Sequence, residues 1–210
     1  GGLTSAYLWS YNVVQAVGWA VALQRAVGAW LSVGAAGVWG AASSALIACQ
    51  LGASMEIIHA CLGLVKSSPV TTLMQWAGRT HVLMAALAAV PESHTSPWVA
   101  VLFVSWALAD LARYPQYALT ITGNCPSSLT WLRYTSFLPL YPIGFAAEMA
   151  LMYAAIEPAR ERGLHSLQMP NRYNFAFDYA LFVQGLLISY PFMFYIMYSH
   201  MLVQRKKKLS

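Results

Sequence analysis

The sequence predicts an all-α membrane protein, a bundle of six transmembrane helices forming one domain over 1–210, and three observations lead there. Apolar residues make up 59% of the chain and charged residues only 9%, against roughly 25% charged in an average soluble domain. That much apolar surface exceeds what one small core hides from water, which leaves the bilayer as solvent. Six stretches, about 7–25, 44–65, 70–90, 97–119, 130–156 and 178–203, approach the roughly 20 mostly apolar residues that a spanning helix needs. Breaks rich in polar residues, Pro or Gly separate most of them.

Each element follows from its flanks. The first stretch runs into "GAWLSVGAAGVWGAASS", whose Gly, Ala and Trp content fits a loop, an interfacial segment or an extra span across 26–43. The second ends at "KSSP" (66–69), the third at "PESHTSP" (91–97) and the fourth at "TGNCPSS" (122–128). Within the fifth, Pro139 and Pro142 bracket Tyr141. A proline removes a backbone donor and crowds the turn before it, so a restart or kink is expected there. The long polar stretch 157–174 precedes the sixth.

Charge sets orientation and excludes several functions. Of 12 Lys plus Arg against 7 Asp plus Glu, four basic residues sit together at Arg205 to Lys208. No basic stripe interleaved with aromatics exists, so nucleic acid is not an expected partner. The basic tail marks a cytoplasmic end. An even number of spans then places both termini in the cytoplasm, with Lys66, Arg113 and Arg133 on that side and Arg25, Arg160, Arg162 and Arg172 lumenal. Lys207 and Lys208 form a dilysine pattern of the kind that returns membrane proteins to the endoplasmic reticulum. Cys49, Cys61 and Cys125 show no CxxC spacing and no zinc-type His cluster, so reduced thiols and no metal are expected.

Ionisable side chains inside spans are functional candidates, because burying them in lipid is costly. Glu56, Arg79, His81, Asp110, Arg113, Tyr141, Glu148 and Asp178 qualify. Asn12, Gln15, Gln75 and Gln184 read as interhelical hydrogen-bonding groups. Glu56 and Arg79 flank one short loop, which suggests a buried ion pair, and Asp110 and Arg113 are spaced to pair along one helix. Tyr141 and Glu148 return to nearly the same helix azimuth, about 20° apart, with a rise of about 10.5 Å. They can converge on a ligand lying between them, with Glu148 as a proton carrier. An interfacial tyrosine near a hydrogen-bonded glutamate is the plainer alternative.

The stretch "EIIHACLGLVKSSP" (56–69) has the flavour of a tyrosine phosphatase loop, but Ala60 separates His59 from Cys61, and Ser67 stands where the arginine belongs. It reads as the end of the second span, with Glu56 facing inward.

Taken with "WALADLARYPQYAL", "WLRYTSFLPLYPIGFAAE" and "MPNRYNFAFDY", in that order, the stretch resembles the 3-hydroxyacyl-CoA dehydratases of very-long-chain fatty acid elongation, a family first called protein-tyrosine-phosphatase-like. The likeness covers nearly the whole chain, with plant PASTICCINO-type members nearest. It implies a multi-pass endoplasmic reticulum lyase that removes water from a (3R)-3-hydroxyacyl-CoA to give the trans-2-enoyl-CoA, the third step of elongation. The family's catalytic tyrosine and glutamate, in "LYPxGxxxE", fall on Tyr141 and Glu148, and other important positions on Glu56, Arg79 and Arg113. Asp110 stands where the family usually has glutamate.

The same resemblance implies no cofactor, because the CoA thioester is the substrate and elimination changes no net oxidation state. It implies as partners a long-chain 3-hydroxyacyl-CoA, membrane lipid, and the condensing enzyme, ketoacyl-CoA reductase and enoyl-CoA reductase of the cycle. Tyr141 as base at C2 with Glu148 as acid at the C3 hydroxyl is one assignment, and the reverse is open. Arg79 or Arg113 is placed to tune Tyr141 or hold a CoA phosphate. The other reading is an inactive membrane scaffold or lipid-binding partner of the elongation enzymes. A transporter finds little support, since no repeated pair of broken helices is visible.

Overall fold

Serine, aspartate and proline start the helices where the apolar runs begin. The computed structural model describes residues 2–209, which form helices joined by short turns and by one longer loop, 163–178, that holds a single isolated bridge between Leu167 and Phe177. Helix α1 (Gly2–Val33) is followed by a 3-10 turn at Ala35–Gly37, α2 (Val38–Gly52) and α3 (Met55–Cys61). Helix α4 (Pro69–Thr80) has Pro69 in its first turn and Ser68 as cap, accepting from the Thr71 amide at 3.5 Å. It continues as a π-helical stretch, His81–Ala88. Helix α5 (Pro97–Ile121) repeats the Ser-Pro start, with Ser96 accepting from the Trp98 amide. Helices α6 (Ser127–Arg133) and α7 (Phe137–Arg162) follow. In α8 (Tyr179–Leu209), Asp178 Oδ1 caps the Leu181 amide at 2.9 Å.

Consecutive pieces combine into six helical rods, an all-α membrane fold. Four segments among the described residues are long and apolar enough to cross a bilayer: Gly2–Val33, Ala35–Cys61, Ser127–Arg162 and Tyr179–Leu209. The other two rods, α4 with its π stretch and α5, carry Arg79, Asp110 and Arg113. The alternatives for 26–43 resolve into a helical hairpin, since α1 runs on to Val33 and only Gly34, at φ 83°, is needed to turn the chain. The expected restart in the fifth rod occurs at Thr135–Ser136, so Pro139 falls in the first turn of α7 and Pro142 one turn later.

α5 is the central rod, packed between α1 and α7, while α8 lies against α7. Trp19, Leu46, Leu83, Leu87, Phe103, Leu151 and Met152 are fully buried at these seams. By contrast, Leu31, Ile188 and Phe192 are more than 70% exposed, the apolar exterior that lipid requires. α1 and α2 approach so closely that a Cβ on Gly18 would sit 2.5 Å from Cys49 Sγ. Small residues permit that approach. Gln15 bonds across the seam to the Cys49 carbonyl at 3.3 Å, as an interhelical group should, whereas Asn12 bonds within α1 and Gln75 is exposed.

Candidate active site

One turn of α5 carries the charges that organise the interior. Asp110, 2% exposed, meets Arg113 at 2.8 Å along its own helix and Arg79 of α4 at 2.8 Å. Arg113 also grips Glu56 of α3 with two nitrogens, at 3.0 and 3.2 Å. Such a bidentate fork fixes both groups. The Tyr114 hydroxyl accepts from Arg113 at 2.7 Å and donates to Glu56, and Tyr11 of α1 donates to the same carboxylate at 3.3 Å.

The chain of charges is therefore Glu56, Arg113, Asp110, Arg79. This corrects the direct Glu56–Arg79 pair expected from their shared loop. Asp110 and Arg113 of α5 reach across to Arg79 of α4 and Glu56 of α3 and supply each with an oppositely charged partner. The Asp110–Arg113 pair forms as spaced.

Arg79 passes the network to α7 through an aromatic ring. Its guanidinium lies 4.4 Å from the Trp106 ring centroid and 5.1 Å from that of Trp19. Trp106 Nε1 donates to Glu148 Oε1 at 3.0 Å, and the Tyr190 hydroxyl bonds Glu148 Oε2 at 3.2 Å. Glu148 has no ion-pair partner among the described residues. Gly144, one turn before it, packs beside Ser105 and the Trp106 ring, at a distance where even a Cβ would make ordinary contact, 3.9 Å from Trp106 Cδ1.

Tyr141 sits nearer the start of α7, half-buried, stacked on Phe194 at 5.3 Å and Tyr198 at 6.1 Å. Its hydroxyl makes no hydrogen bond among the described residues, and neither Arg79 nor Arg113 contacts it. Pro142 lacks an amide hydrogen, which leaves the Leu138 carbonyl without its helical donor. Tyr198 of α8 donates to that carbonyl at 3.3 Å. Measured along each rod, Glu148 lies about 16 Å from the start of α7 and Asp110 about 16 Å from the end of α5, while Tyr141 lies only about 6 Å in.

His81 and Asp178 stand apart from this site: His81 pairs with Tyr179 at 2.9 Å, and Asp178 is the α8 cap. Sequence reading missed Trp106, Tyr190, Tyr114 and Tyr11. One signal was present, because Tyr114, Tyr141 and Tyr190 each directly precede a proline inside a helix. Among the described residues no group of three or more His, Cys, Asp or Glu is arranged to hold a metal.

The phosphatase-like stretch is a helix end. α3 stops at Cys61, and Gly63 at φ 67° lets the Leu64 amide bond back to the His59 carbonyl at 2.9 Å. His59 is buried against Tyr7 at 2.9 Å, away from the exposed Cys61 thiol.

The family described as "Protein tyrosine phosphatase-like protein, PTPLA" matches residues 50–210. The "Very-long-chain (3R)-3-hydroxyacyl-CoA dehydratase 2" of Mus musculus is 36% identical over 211 residues, covering 100% of this chain and 83% of the relative. The "Very-long-chain (3R)-3-hydroxyacyl-CoA dehydratase PASTICCINO 2B" of Oryza sativa subsp. japonica is 36% identical over 213 residues, covering 97% and 93%. The "Very-long-chain (3R)-3-hydroxyacyl-CoA dehydratase 1" of Mus musculus is 31% identical over 210 residues, covering 100% and 75%. No solved structure matches the chain. Matched over most of its length by the family and over its full length by the relatives, the chain belongs to the protein tyrosine phosphatase-like (PTPLA) family.

Proposed function

We propose that the protein is a very-long-chain (3R)-3-hydroxyacyl-CoA dehydratase, a hydro-lyase giving the trans-2-enoyl-CoA in the third step of fatty acid elongation. All six rods of its single domain would cross the endoplasmic reticulum membrane with both termini cytoplasmic. The observation that carries the reading is a carboxyl without an ion-pair partner, Glu148, held by two hydrogen bonds and set about two turns below the unbonded hydroxyl of Tyr141 on the same helix. The relatives' names supply the substrate class.

Dehydration removes a proton from C2, breaks the C3–O bond and releases water as the C2–C3 double bond forms. Two positioned proton-transfer groups on adjacent carbons suffice. The surroundings favour Glu148 as base at C2, since two hydrogen bonds from Trp106 and Tyr190 suit an accepting carboxylate. Tyr141, whose hydroxyl is not engaged, protonates the departing C3 oxygen. Arg79, Asp110, Arg113 and Glu56 support the site by fixing Trp106 and the α3–α5 seam. No cofactor enters the balance. The acyl chain belongs among the apolar helix faces, CoA at the cytoplasmic mouth, and the condensing enzyme and the two reductases of the cycle are the partners.

Purified protein incubated with a long-chain (3R)-3-hydroxyacyl-CoA should yield the trans-2-enoyl-CoA without added cofactor. Recovery of unchanged substrate under conditions where the protein stays folded would overturn the proposal.

A further inference from the structure

The two oxygens of Glu148 have chemically different partners. An indole N–H can only donate, so Oε1, at 3.0 Å from Trp106 Nε1, is an acceptor whatever the protonation state of the carboxyl. A tyrosine hydroxyl both donates and accepts, so the 3.2 Å contact between Tyr190 and Oε2 survives gain or loss of a proton at Oε2. Trp106 and Tyr190 are themselves buried, at 6% and 8% exposure. The Trp106 ring is backed by the Arg79 guanidinium, which Asp110 holds. Tyr190 is stacked on Phe145 at 5.2 Å, one turn before Glu148 on α7. Neither donor is free to swing away, so the carboxyl cannot exchange its two oxygens.

We propose that Trp106 and Tyr190 are positioning residues that divide the Glu148 carboxyl into a fixed oxygen and a working oxygen. Oε1 anchors the group through Trp106. Oε2 takes the C2 proton of the substrate and, after water has left, gives it up through solvent, which reprotonates the Tyr141 that supplied the proton to the C3 oxygen. Tyr190 donates to Oε2 while the carboxyl is ionised, then turns its hydroxyl to accept from the new O–H, so its contact with Oε2 is kept in both states. The C2–H bond breaks, the O–H bond at Oε2 forms, and the electron pair left at C2 becomes the double bond as the C3 hydroxyl departs. This rests on the reading of Glu148 as a proton-transfer group.

The test compares wild type, Glu148→Gln, Tyr190→Phe and Trp106→Phe in detergent, following enoyl-CoA formation in H2O and D2O. Tyr190→Phe is expected to lower kcat about tenfold or more, in the range of positioned acid–base effects, with KM little changed and the solvent isotope effect on kcat raised. Trp106→Phe is expected to lower kcat without raising that isotope effect, because its N–H never handles the proton. Replacing Tyr190 by 3-fluorotyrosine, which keeps shape and hydroxyl while changing acidity, is expected to alter the isotope effect in a fully folded protein. An unchanged isotope effect in both Tyr190 replacements, or the same response to loss of either donor, would overturn the proposal. If Glu148→Gln itself turns over like wild type, the underlying reading of Glu148 fails instead.

Discussion

A guanidinium on α5 has to find its acceptors inside the bundle, and Arg113 finds four oxygens on three residues: both of Glu56, Asp110 Oδ1 and the Tyr114 hydroxyl. Removing it leaves two carboxylates short of a cation in a region with little water. Breaking a buried pair in this way costs about 3–5 kcal/mol, more than the pair itself contributes. Arg113→Met should therefore destabilise the protein by about that amount in detergent unfolding. Arg113→Met combined with Glu56→Gln should recover part of the loss, because the orphaned charge is gone. Full stability in the single variant would show that the bidentate contact does not form. That Glu56, Arg79, Asp110 and Arg113 would each need an ion partner was legible from the cost of charge in a membrane, and the Asp110–Arg113 pair from its spacing. That Glu56 and Arg79 join through that pair was not, since the link depends on which rod fills the centre, and α5 was indistinguishable from its neighbours by composition.

Helix irregularities in α7 are answered by α8. Pro142 deprives the Leu138 carbonyl of its usual donor, and Tyr198 supplies the missing hydrogen bond from the neighbouring helix. The ring of Tyr198 also packs on Tyr141, so the same side chain repairs the backbone and supports the candidate catalytic tyrosine. Tyr198→Phe should cost about 1 kcal/mol in the natural background, the net worth of one hydrogen bond. In a Pro142→Ala background the cost should fall close to zero, because an alanine at that position restores the helical amide that the Leu138 carbonyl lacks. Equal costs in the two backgrounds, read from a double-mutant cycle, would contradict this coupling. The two prolines announced a break in the fifth rod, and the helix restarts just before them. The aromatic partners on α8 stayed hidden, because Tyr190, Phe194 and Tyr198 look in sequence like the lipid-facing Phe192, Tyr195 and Ile196 beside them.

The assembled bundle places its charged site toward one membrane face. α3 ends at Cys61 just before the Lys66 turn, and the loop holding Cys125 joins α5 to α6 at the same end. The proposed topology, with both termini cytoplasmic, predicts that an impermeant maleimide added outside sealed endoplasmic reticulum vesicles labels the exposed Cys61 and the partly exposed Cys125 and spares the buried Cys49. Labelling of Cys61 and Cys125 only after the vesicles are opened would reverse the topology and move the CoA mouth to the lumen.

The fold class was readable from composition and the six apolar runs, while spacing singled out Tyr141 and Glu148 as candidates and only the family resemblance implied their catalytic role. What spacing could not supply is the environment of each: a carboxyl held by an indole and a phenol, and a tyrosine with its hydroxyl unbonded. The proposed acid–base assignment rests on that contrast. Turnover of a long-chain (3R)-3-hydroxyacyl-CoA by wild type, Tyr141→Phe and Glu148→Gln therefore decides the matter. Enoyl-CoA formation by wild type with losses of about 100-fold or more in each folded variant is the expected result. Near wild-type turnover in both variants would contradict it.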